Sequence, residues 1–155
     1  MSREEFEKLV EDEFPNAVPE RFRHLIKNVA FLVEDEPSRE LRRREGLGPN
    51  ETLLGYYHGI PATARGDSYG VGATLPDTIT LFQLPIEDEA FHLEHSNIRA
   101  NVGMSQEQCV RSVIRDTIWH EVAHHFGYDE HQVRTKEAER DNGSTEAPAP
   151  ERPKI

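Results

Sequence analysis

The chain has 155 residues, with 18 Lys and Arg against 29 Asp and Glu for a formal charge of −11, and its single cysteine, Cys109, excludes a disulfide framework. That length fits one small domain, and no stretch approaches the roughly 20 apolar residues needed to cross a bilayer. The acidic balance argues against a general nucleic-acid binder, which needs a basic face to displace counterions.

Residues Met1–Lys8 lack the apolar core of a signal peptide, so the expected location is the cytoplasm. Ser2 and Glu5 form a capping box, and Phe6, Leu9 and Val10 supply the apolar stripe of a first helix. Pro15 and Pro19 are expected to break it ahead of a short helix around Glu20–Lys27. Strands are predicted over Asn28–Asp35, Leu53–His58 and Thr78–Leu84, with a Gly-rich loop, Arg65–Thr78, before the last. The one basic run, Arg39, Arg42, Arg43 and Arg44, is interrupted by Glu40 and Glu45 and reads as an exposed helix face.

Ser105 opens the strongest helix, and Gln108 completes its capping box. Val110, Val113, Ile114, Ile118 and Val122 recur at helical spacing, Cys109 is expected to be buried with them, and Gly127 is placed to end the helix. From Lys136 onward Ile155 is the only large apolar residue among prolines and charges, so residues 136–155 are predicted to be a disordered tail. That tail carries 4 positive and 5 negative residues, which leaves −10 on the predicted domain, residues 1–135. The element order indicates an α+β domain.

Residues 120–131 read His-Glu-Val-Ala-His-His-Phe-Gly-Tyr-Asp-Glu-His. His120 and His124, four apart, differ on a helix by about 40° and about 6 Å of rise, so both imidazoles can reach one ion. Glu121, rotated by about 100° from His120, can lean over the open side of that ion and take a proton from a metal-activated water. The HExxH spacing therefore joins two Zn²⁺ ligands and a general base on one helical face.

A catalytic zinc site generally takes three protein ligands. A turn at Gly127 would bring the chain back under the ion and place Glu130 at position eleven of the motif, with Asp129 and His131 as alternatives. Candidate oxyanion donors are Tyr128, His125, His131, Tyr56 and Tyr57. His24, His58, His92 and His95 read as surface or loop residues, His125 as packing or support for a ligand, and Tyr56 and Tyr57 as strand aromatics at a core boundary.

Beyond the motif, the segments NVAFLVEDEP (28–37), LLGYYHGIPATAR (53–65), LPDTITLFQLPI (75–86) and TIWHEVAHHFGYD (117–129) resemble the minimal zincin-like metallopeptidases of bacteria, over roughly residues 4–135. The resemblance implies a minimal zincin-like fold, a short mixed sheet packed on helices that include the HExxH helix. It also implies metal binding by His120 and His124 and catalysis by Glu121. The family often has Asp where this chain has Glu130. Metzincins place a methionine turn downstream of the motif, whereas Met1 and Met104 both lie upstream.

The expected function is zinc-dependent hydrolysis of a peptide or protein substrate by a monomer, the peptide lying extended along an edge strand, with Thr78–Leu84 as the candidate edge. One rival reading is a non-catalytic zinc scaffold. The other is an rRNA-maturation endoribonuclease, suggested by Gly127-Tyr128-Asp129; Glu121, the acidic domain and a His131 one place late weigh against it.

Overall fold

The computed structural model describes residues 1–59, 76–96, 102–128, 131–132 and 135–136. The expected tail beyond Lys136 and most of the Gly-rich loop lie outside the described residues. The elements are α1 (Arg3–Ala17), α2 (Glu20–Arg23), β1 (Val29–Glu34), α3 (Arg39–Arg44), β2 (Gly55–His58), β3 (Asp77–Phe82), α4 (Gln83–Glu94) and α5 (Gln106–His125).

Both capping boxes form. Ser2 accepts from the Glu5 amide while Glu5 accepts from the Ser2 amide, and Ser105 and Gln108 repeat the arrangement at α5. Pro15 does not break α1, contrary to expectation, because it lies in the last turn. Only its own bond to the preceding turn is lost, and packing of Phe14 edge-on against Phe31, centroids 5.1 Å apart, holds the turn in place.

The predicted third strand also ends early, at Phe82, and α4 begins at Gln83. Pro85 explains the switch. A strand interior would miss its N–H, whereas the first turn of a helix has no intrahelical use for one.

The strands form one mixed sheet in the order β1-β3-β2, with β3 parallel to β1 and antiparallel to β2. This overturns the expectation that Thr78–Leu84 offers an open edge. Residues 77–82 pair with β1 on one side, and residues 78–81 pair with β2 on the other. Burial of consecutive residues at the end of β3, Leu81 and Phe82, fits a central strand covered on both faces. Among the described residues the edges are β1 and β2.

The face of β3 that carries Asp77, Ile79 and Leu81 packs against α5, where Val110, Ile114, Ile118 and Val122 are fully buried. Phe6, Leu9 and Val10 of α1 join the same core. Cys109 is buried there, and burial, with a smaller contribution from the charge on Glu94, pushes its thiol up, as befits a packing residue. The arginine run forms α3, with Leu41 buried and Arg42 donating to the Gly48 and Glu51 carbonyls. No helix among the described residues is long and apolar enough to cross a membrane.

One polar cluster ties α1 to α5. Glu13, only 3% exposed, accepts from Arg111 and Arg115 at 3.0 Å each and from Asn16 at 3.3 Å. Burial pushes its carboxyl up, but the three hydrogen bonds outweigh that and hold it below the ordinary 4.5. A carboxyl with a depressed folded-state pKa contributes stability that is present above its unfolded value and lost as pH falls through the folded one. Glu13→Gln should therefore destabilise the fold by about 1–3 kcal/mol at neutral pH. In urea titrations the deficit should shrink as pH falls below the ordinary 4.5; an equal deficit at neutral and acid pH would show that the charge is not its source.

Candidate metal centre

The C-terminal end of α5 sets the site. Phe126 caps the helix, and Gly127, at φ 86°, takes the left-handed conformation that a side chain disfavours. The Gly127 amide donates to the His124 carbonyl at 2.9 Å and the Tyr128 amide to the Ala123 carbonyl at 3.1 Å, the bond pair of a Schellman motif. This turn brings the Tyr128 carbonyl back over the helix, where it accepts a 3.0 Å bond from Nδ1 of His124.

That bond fixes the His124 tautomer. With the proton on Nδ1, Nε2 presents its lone pair, the usual arrangement for a metal-ligating histidine whose other nitrogen is held by a carbonyl. Nε2 of His124 lies 3.3 Å from Nε2 of His120. Two nitrogens bound to one tetrahedral zinc at about 2.0–2.1 Å stand about 3.3–3.4 Å apart. The donor pair therefore fits zinc in both spacing and chemistry.

Glu121 is 7% exposed and lines the same cleft. Opposite it, β2 comes unusually near. A Cβ placed on Gly55 would lie 2.8 Å from the Thr117 methyl, 3.0 Å from Cγ of Glu121 and 3.2 Å from its Oε1. The cleft, about 810 Å³, runs along α5 from Val113 past Asp116 and Thr117 to His124, with Leu53–Tyr57 as one wall and Glu89 and Leu93 of α4 on another.

His125 turns the other way. It is 2% exposed, and its Nδ1 donates to Oδ2 of Asp77 at 3.1 Å, an oxygen that also accepts from the Tyr57 hydroxyl at 2.7 Å. This cluster joins α5, β3 and β2, a buried polar network with high local cost if broken. Sequence reasoning placed His125 in packing or support but missed Asp77, whose position just before a strand carries no mark of burial. Gly55 was also missed, although a glycine inside a predicted strand signals close approach of another group.

Tyr57 and His125 bond to Asp77, Tyr56 donates to Glu45 at 3.1 Å, and the Tyr128 hydroxyl is itself buried, so Tyr128 lines the cleft without presenting that hydroxyl to it. His131 is exposed, and among the described residues no third His, Cys, Asp or Glu converges on the histidine pair. Glu130 and Asp129 lie outside the described residues. His24, His58, His92 and His95 are exposed, as expected.

The family model of zincin-like metallopeptidases matches residues 26–140, which include all three strands, the cleft and the HExxH helix. The chain belongs to this family. Its matched region begins after α1 and α2, so the Glu13 clamp fastens a segment outside the match to the motif helix. No curated protein matches the sequence.

Gly127→Ala should lose about 1 kcal/mol of stability from the left-handed backbone alone. It should also weaken zinc binding by about tenfold as the Tyr128 carbonyl shifts off His124. Chemical denaturation and competitive zinc titration measure the two effects; zinc affinity unchanged in a destabilised variant would break the link between turn and ligand.

Proposed function

We propose that this protein is a zinc-dependent peptidase in which His120, His124 and Glu130 hold one Zn²⁺ and Glu121 is the general base. The observation that carries the reading is the 3.3 Å separation of the two Nε2 atoms beside the Glu121 carboxylate. Glu130 is favoured as third ligand because position eleven follows the Gly127 turn, with Asp129 the alternative. Bound there, zinc would supply Lewis acidity, polarising a carbonyl and lowering the pKa of water toward about 7.

The protein's own part is positioning and proton transfer. Glu121 accepts the proton of the attacking water on its carboxylate and delivers it to the nitrogen of the departing amine. Its burial against β2 keeps bulk water from competing for that proton and strengthens local electrostatics.

The substrate reading follows the sheet. β2, rather than β3, supports extended peptide binding, because it forms a cleft wall and is an edge among the described residues. Every group invoked comes from one chain, so a monomer suffices, and the absence of Lys and Arg among the described lining residues fits a peptide better than a polyanion.

Glu121→Gln should retain zinc while losing at least about 10²-fold in peptide hydrolysis. Wild-type protein that binds zinc yet cleaves no member of a peptide library would favour the scaffold reading. His120→Ala and His124→Ala should each abolish stoichiometric zinc by metal analysis. Glu130→Ala should weaken zinc by about 10–100-fold; unchanged affinity there, with a loss in Asp129→Ala, would move the ligand role by one residue.

A further inference from the structure

Gly55 has no conformational reason to be glycine. Gly46, Gly59, Gly103 and Gly127 have positive φ, and Gly55 does not. It lies in a paired strand, opposite Leu81, where glycine weakens the strand and adds no packing. What distinguishes the position is space: the atoms within 3.2 Å of an added Cβ belong to Thr117 and Glu121.

We propose that Gly55 is a positioning residue for Glu121, its bare backbone leaving the gap in which the Glu121 side chain is set. This rests on reading Glu121 as the base. The surroundings decide which group would yield to a side chain. Thr117 is held, because it is buried and its hydroxyl donates to the Val113 carbonyl at 2.7 Å. β2 is held by pairing with β3 and by the bond from Tyr57 to Asp77. Glu121 has more torsional freedom and borders the cleft, so a methyl at position 55 displaces its carboxylate while the histidine pair, absent from the clash, stays put. A misplacement near 1 Å at a reacting group can cost on the order of 10² in rate.

The test compares Gly55→Ala with the double variant Gly55→Ala/Thr117→Ser, which removes the nearest methyl and keeps a hydroxyl for Val113. The expected result for Gly55→Ala is unchanged zinc stoichiometry and unchanged His120 and His124 imidazole signals, with a displaced ¹³C signal from the Glu121 side-chain carboxyl. On a quenched-fluorescent peptide library kcat should fall by about tenfold or more and KM stay within about threefold. The double variant should recover part of both changes. An unmoved Glu121 carboxyl signal overturns the proposal, as does parallel loss of zinc and activity in both variants. Should Gly55→Ala unfold, the double variant keeps the test, since its contacts with Glu121 at 3.0 and 3.2 Å remain and a smaller displacement of the carboxyl signal from wild type is expected. If wild-type protein cleaves no peptide, the peptidase reading fails by itself, and the carboxyl signal still decides the role of Gly55.

Discussion

The rotation of α5 about its own axis is the constraint on which the cleft depends. With Val110, Ile114, Ile118 and Val122 fully buried, the helix has no freedom to choose what its remaining sides present. His120, Glu121 and His124 reach the cleft because the apolar stripe has already been committed elsewhere. Neighbouring residues 124 and 125 show how sharp this is. About 100° of helical rotation separates an imidazole at the cleft from one buried against Asp77. An apolar stripe alone tolerates some rolling, and the polar contacts of Glu13 and Asp77 remove that tolerance at two points along the helix.

Those polar contacts divide the work by position. Glu13 acts on the first half of α5 through Arg111 and Arg115, and Asp77 acts on its last residue. Between them lies Thr117, with its hydroxyl turned back to its own helix and its methyl toward β2. Polar contacts thus hold α5 on both sides of the segment that carries His120, Glu121 and His124. Zinc would meet a histidine pair whose geometry the fold already supports.

What could be read from the sequence was mostly local. The capping boxes at Ser2 and Ser105, the stripe of α5, the stop at Gly127 and the HExxH spacing all involve residues within a turn or two of one another, and helical geometry then fixes their relation. Relations across the chain were not legible. Glu13 meets Arg111 across 98 positions and Asp77 meets His125 across 48, and nothing in the local pattern of either acid announces its partner. Strand order failed for the same reason, since alternation identifies a strand without saying what pairs on each side. Pro15 and Pro85 were legible as residues and ambiguous in effect, because proline is costly only where an N–H is needed.

The central place of β3 also orders events in time. During synthesis β1 and β2 emerge first, yet in the finished sheet neither hydrogen-bonds to the other, and both wait for a strand made later. The parallel partnership of β1 with β3 closes a long stretch of chain, whereas β2 and β3 are nearer neighbours in sequence. The N-terminal third of the chain therefore leaves the ribosome with an apolar strand, VAFLVE, before its strand partner β3 has been made. Assembly of the cleft is correspondingly a late event, completed only when the strand bearing Asp77 and then the helix bearing the histidines have been delivered.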